Sequence, residues 1–251
     1  MHGTNRDPWQ GLRGNLLLQS LSARDAIALA PQLRRIRLPT GACLSTGTDG
    51  DALIYFPETL VACLGGRRGA LGGFEIGLVG REGMIGWDAL LGCAEGRHRA
   101  RVQLAGGTAL VIGVERICMM CGTHPTLAEA LLRFGLVFSV QMANTLISNL
   151  HDSHERRLSR WILMFHDRLD GDELPVTHDA LALLLAIRRA SVTDALHLLE
   201  GDGILRCTRG RIVVRDRGQL ELRAAHAYGA AEQSYRSAIG KFGKRAQGAW
   251  P

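Results

Sequence analysis

Much that commonly carries chemistry is missing from this 251-residue chain. Its six cysteines (Cys43, Cys63, Cys93, Cys118, Cys121 and Cys207) lack the spacing of a disulfide framework, which suits a reducing cytoplasm. Only Cys118 and Cys121 stand at a zinc or thiol spacing, with no second pair near them, so inert thiols are the plainer reading. No His-x-His of a metal-binding cupin occurs. His151 and His154, beside Glu155, could hold a metal or simply end a solvated helix. His151-Asp152 and His166-Asp167 lack the separated partner ligands of a metal phosphohydrolase. No nucleophile stands with a base, so neither an enzyme nor a cofactor is expected. The N-terminus opens on polar and charged residues rather than a signal peptide. The longest uncharged helical run, 134–150, carries Gln141, Asn144 and Asn149 and reads as too polar to span a bilayer. A cytoplasmic protein with no membrane partner is expected.

What is present is length enough for one large or two modest domains, and a hydrophobic fraction of 46%. The formal charge of +6 permits a nucleic-acid partner without requiring one. From His151 to Arg223 twelve Arg and twelve Asp or Glu cancel, so any basic patch must come from arrangement.

The stretch Leu174 to Arg217 is the most informative. Leu181, Leu184 and Leu185 lie at helical spacing after Thr177, a candidate N-cap. Ala186-Ile187-Arg188-Arg189 reads as a turn, and Val192, Leu196 and Leu199 mark a second helix. Two such helices make a helix-turn-helix. With that apolar stripe inward, Ala190, Thr193, Asp194 and His197 point outward, and Arg188, Arg189 and Ser191 open the helix. Unpaired N–H groups there favour phosphate, and a bidentate Arg suits guanine. Two short strands follow, turning at Thr208-Arg209-Gly210, with Arg209 and Arg211 at the tip and flank. Five Arg against one Asp in 206–217 fit a hairpin lying along a phosphate backbone. The plain alternative is two amphipathic helices and a surface hairpin without nucleic acid.

Earlier in the chain the grammar is different. Residues 1–14 read as a loose leader, followed by a short helix and a second one capped at Ser22. From Arg34 to Val114 short apolar runs such as Leu53-Ile54-Tyr55-Phe56 are punctuated by Gly, as in a β-barrel or jelly roll. From Thr126 to about Leu150 a helix carries two stripes. One is Leu127, Leu131, Phe134 and Phe138; the other is Leu132, Leu136, Val140, Ala143, Ile147 and Leu150. A helix apolar on two sides must bury both, and the economical second surface is the same helix of another copy. A single central helix in a monomer is the alternative. A further helix spans about Ser153 to Leu169.

This order resembles the Crp–Fnr family of bacterial transcription regulators from about Asn15 to Leu222. The resemblance rests on Tyr55-Phe56-Pro57-Glu58, on Gly80-Arg81-Glu82-Gly83-Met84-Ile85-Gly86, on the run from Glu155 to Met164, and on Arg189, Ser191 and Val192 in the recognition helix. Ala190 and Asp194 stand where that family usually has Glu and Arg, so its usual operator does not carry over. The resemblance implies an α+β chain. A cyclic-nucleotide-binding-like β-barrel (15–125) precedes a dimerisation helix (126–152), a winged helix-turn-helix (153–222) and a C-terminal extension (223–251). It implies a homodimer on palindromic double-stranded DNA, with RNA polymerase and an unknown small effector as further candidate partners. Where relatives bind cyclic nucleotide with Gly-Glu and Arg-Ser pairs, this chain has Gly86-Trp87 and Arg99-Ala100. Trp cannot accept from a ribose hydroxyl, so dependence on cyclic AMP is not expected. Trp87 could stack on another planar ligand or fill the pocket. Two further readings stay open: gating by another effector such as a cyclic dinucleotide, and a protein-interaction scaffold with a vestigial DNA domain.

Overall fold

The computed structural model describes residues 9–45, 52–66, 75–91, 98–104 and 106–244. Seven strands and the first helices come in the order α1 (Leu16–Gln19), α2 (Ala23–Leu29), β1 (Arg34–Leu38), β2 (Cys43–Leu44), β3 (Leu53–Pro57), β4 (Val61–Gly66), β5 (Glu75–Val79), β6 (His98–Gln103) and β7 (Gly107–Gly113). Then follow α3 (Val114–Thr123), α4 (Pro125–His151), α5 (His154–His166), β8 (Glu173–Leu174), α6 (His178–Leu185), α7 (Arg189–Gly201), β9 (Leu205–Thr208), β10 (Arg211–Val214), α8 (Arg217–Ala224) and α9 (Ala230–Ala238). The strands form sheets of order β1-β7-β3, β2-β6-β4-β5 and β8-β10-β9. The Gly-punctuated region is thus the expected β domain, and α3 is a helix that periodicity did not reveal.

Contacts divide the chain into two compact units, Met1–Ala62 with Val79–Leu136, and Cys63–Leu78 with Val137–Pro251. The division differs from the one expected, because the β4–β5 hairpin and the second half of α4 cluster with the C-terminal part.

In the first unit Asn15 is a bracket. Its Oδ1 accepts from the Leu18 amide at 3.0 Å, capping α1, while its Nδ2 donates to the carbonyls of Pro57 (2.8 Å) and Gly83 (2.9 Å). Leu12 is buried as well, so the chain is not a loose leader as far as residue 14. In the antiparallel β1-β7-β3 sheet, Ile36 faces Ala109 and Ile54 faces Ile112. The inner stripe of α4 (Leu127, Leu131 and Phe134) packs here; a Cβ at Gly83 would collide with the Phe134 ring. Only glycine allows that approach.

By length and composition alone α4 could cross a bilayer, with a window of mean hydropathy 1.4, so the expectation that it is too polar holds only in part. Its polar groups nonetheless serve the protein. In the second unit buried Gln141 takes both backbone groups of Leu78, accepting from N at 2.7 Å and donating to O at 3.1 Å.

The centre of the second unit is α5, whose residues Arg157 to His166 are all buried. It packs against α6, α7 and α8. At its C-terminal end lies a network of buried charge. Asp167 is ion-paired to Arg217 at 2.8 Å, with both side chains withdrawn from water. Arg217 also donates to Glu221 (2.8 Å), to the Tyr228 hydroxyl (2.7 Å) and to His166 Nδ1 (2.9 Å). Because a guanidinium can only donate, His166 Nδ1 carries no proton and its Nε2 donates to Asp172 at 2.8 Å.

His166 is therefore held neutral. Burial lowers its pKa; Asp172 opposes the shift, and the Lys244 and Arg217 charges add to it. Since the folded state binds the proton less readily than the unfolded one, stability is full above the ordinary value near 6.5 and falls as pH drops toward the lowered value. We expect urea unfolding to show this loss below about pH 6.5, and His166→Gln to flatten it. An unchanged pH profile in the variant would contradict a neutral, buried His166.

Candidate nucleic-acid interface

Thr177 caps α6 as expected, accepting from the Ala180 amide at 3.2 Å. The helix ends at Ala186 in the left-handed region (φ +51°), which costs a non-glycine residue roughly 1 kcal/mol. Arg157 of α5 donates to the Leu185 carbonyl, satisfying a group that the helix end leaves open. The turn closes one residue earlier than expected. Arg188 is the N-cap of α7 and makes no side-chain cap bond, so Arg189 belongs to the helix rather than to the turn.

On α7 the inward face is Val192, Leu196 and Leu199, all fully buried, with Ala195 beside them. Arg188, Arg189, Ala190, Asp194 and His197 are exposed; Ser191 and Thr193 are half-buried. The Thr193 hydroxyl lies 3.0 Å from Nδ1 of His178 on α6. Arg189 pairs with Asp179 of α6 at 3.3 Å, both about two-thirds exposed. An exposed pair of this kind holds the side chain weakly. Asp179 is a partner of Arg189 that sequence reasoning missed; its place in the first turn of α6 was the available signal.

The hairpin of β9 and β10 pairs Thr208 with Arg211 and Leu205 with Val214, turning at Arg209-Gly210. Gly210 sits at φ +74°, where a side chain would be strained. The hairpin has a third strand, β8, in which Leu174 faces Ile212. Glu200 ties it to α7 by accepting from the Cys207 amide at 2.8 Å. Arg206, Arg209, Arg211 and Arg215 are exposed, and Arg211 meets Glu173 at 2.8 Å. Arg217, counted among five surface arginines by sequence, turns inward to Asp167 and starts α8. The basic surface is therefore four arginines, not five.

On α4 the outer stripe is open: Leu132, Leu136, Ile147 and Leu150 are 44%, 66%, 53% and 78% exposed. Ala143 is exposed and Val140 half-buried. Leu146, 48% exposed, widens the stripe. At the degenerate effector positions, Gly86 is buried at φ +92°. Trp87 lies against the backbone of α4, 3.1 Å from a Cβ built on Gly135. Ala100 is buried opposite Leu44. The Arg99 side chain lies outside the described residues. On α3, burial raises the Cys118 thiol, and burial together with Cys118 raises Cys121 to about 11, so both stay protonated at neutral pH. Among the described residues no three His, Cys, Asp or Glu side chains gather as a metal site.

Residues 156–223 match the Crp-like helix-turn-helix domain family. A comparison with curated proteins finds no match. Among solved structures, FixK2 from Bradyrhizobium japonicum superposes with a TM-score of 0.67 at 14% identity, over 78% of this chain and 99% of that one. A CRP/FNR-family transcriptional regulator from Thermus thermophilus gives 0.62 at 17% identity, over 76% and 98%. The c-di-GMP responsive global regulator CLP of Xanthomonas campestris gives 0.61 at 16%, over 77% and 99%. At these identities the likeness is one of fold. The chain has the fold of the CRP/FNR-type regulators, with a Crp-like helix-turn-helix domain over residues 156–223.

The Thr177 cap sets where α6 begins and so where the turn delivers α7. Thr177→Ala is expected to lower the unfolding free energy by about 1 kcal/mol, measured by urea titration. No loss would mean that the cap bond does not form in solution.

Proposed function

From this fold and domain we propose that the chain is a homodimeric, sequence-specific transcription regulator, acting in the cytoplasm, that lays α7 in the major groove of DNA. The observation that carries the reading is the two-sidedness of α7. One face is wholly consumed by the core, and the other presents Arg188, Arg189, Ala190, Ser191, Asp194 and His197 beside an arginine-bearing hairpin. Near the start of the helix, Arg189 is placed to exchange Asp179 for the O6 and N7 acceptors of a guanine. Asp194 can accept from a cytosine amino group, and His197 lies one turn further along. Thr193 supports α6 through His178 rather than reading a base. Arg209 and Arg211 are positioning contacts to phosphate, which carry affinity and little sequence information.

The second copy would cover the outer stripe of α4. Its long apolar edge has the heptad-like spacing of a two-stranded coiled coil, and a two-fold pair sets half-sites about 34–36 Å apart. In this reading the domains are a sensor-like β region (15–125), a dimerisation helix (126–152), the winged helix-turn-helix (153–222) and the extension (223–251). Trp87 against Gly135 and the apolar Ala100 support a filled pocket in place of the cyclic-nucleotide site, so the regulator works without cyclic AMP.

The test is affinity measured by fluorescence anisotropy on a selected duplex and on random-sequence duplex, across a salt series. Arg189→Ala is expected to cost about 1–3 kcal/mol on the selected duplex and little on the random one. Arg209→Ala should weaken both alike and reduce the salt slope by about one. Equal losses from both variants on both duplexes would overturn the division between reader and positioner.

A further inference from the structure

Residues beyond α8 take no part in the proposed DNA surface, yet they are built into the element that supports it. Asp167, at the end of α5, is fully buried and receives three donors: Arg217 at 2.8 Å, the Tyr228 hydroxyl at 2.5 Å and the Lys244 backbone amide at 2.9 Å. Two of those three come from the extension. After α9 the chain turns back; the Phe242 ring meets the Tyr235 ring at a tilt, centroids 5.0 Å apart, and lies under Arg168 at 5.1 Å. The Lys244 ammonium then donates to the Gly171 carbonyl and stands 4.0 Å from Asp172. Asp172 is the junction to the wing. Its carbonyl accepts from Val214 of β10 at 2.9 Å, its carboxylate accepts from His166, and the next two residues are β8, which pairs with β10.

A two-residue strand has too few ladder bonds to hold its own place. The position of β8 therefore depends on what fixes 167–172, where the extension adds the Tyr228 hydroxyl, the Lys244 amide and the Lys244 ammonium to the contacts from α5, α8 and β10. We infer that residues 228–244 are an internal strap that sets the wing's position, with Tyr228 and Lys244 as positioning residues acting through Asp167 and Asp172. The role in DNA binding rests on the reading of the wing as a phosphate clamp; the strap itself does not.

The full-length chain tests it by hydrogen exchange and by DNA affinity over a salt series. Tyr228→Phe keeps the ring and removes only the hydroxyl. Exchange in 172–174 and 211–214 should rise about tenfold, the effect of one lost bond to a charged acceptor. Exchange at 195–199 in α7 should stay unchanged. Affinity for selected and random duplexes should fall by the same factor, with a flatter salt slope. If Tyr228→Phe fails to fold, Lys244→Ala removes the ammonium and leaves the backbone amide bond to Asp167, and should give the same pattern, with Lys244→Arg restoring protection. Unchanged wing exchange, or equal loosening of wing and α7, overturns the strap. Faster wing exchange with unchanged affinity upholds the strap and overturns the wing's role on DNA.

Discussion

The burial of Val192, Leu196 and Leu199 decides what α7 can show to a partner. Each is fully withdrawn from water, and hiding a side chain of that size is worth about 1.5–3 kcal/mol. Turning the helix by even one residue, about 100°, would exchange that seam for Thr193, His197 and Glu200, and nothing in the core could answer their polar groups. The outward set is thus a consequence of packing on α5 and α6, not of the outward residues themselves. Arg189, near the helix start, inherits its place from the turn at Ala186 and from Arg157 holding the last carbonyl of α6.

Behind that seam the second unit uses an unusual amount of buried charge. Arg160 donates to the Ala227 carbonyl at 2.9 Å and to Thr145 at 3.0 Å, and burial pulls its pKa down to about 10. Glu232, raised by burial and by Asp167, caps the Gly229 amide at 3.0 Å. The buried Asp167–Arg217 ion pair returns little net stability, because desolvation consumes most of the attraction. What it fixes is geometry: an Asp167 with three donors admits few arrangements of the segments that supply them. The same economy appears in Gln141, which satisfies both backbone groups of Leu78 at once.

The elements with a local signature were legible before any coordinates. The Thr177 cap follows from residue type and the α7 stripe and the two stripes of α4 from side-chain period, and each lies where that reading places it. Three kinds of feature were not. The strand β8 is too short to alternate. The turn before α7 closes early because Ala186 adopts a left-handed backbone that glycine would have announced. Arg217 looks like its surface neighbours in sequence, yet its partners Asp167 and His166 lie about fifty residues away, and no periodicity records such a pairing. For the same reason the extension carried no readable task until Tyr228 and Lys244 were seen at Asp167.

In the proposed function the open face of α7 reads bases twice, from two copies of one chain. Selection of bound duplexes from a random DNA pool measures this most directly. A two-fold symmetric motif with half-site centres about one helical turn apart should be enriched. Recovery of no enriched sequence, or of a single unpaired half-site, would contradict it.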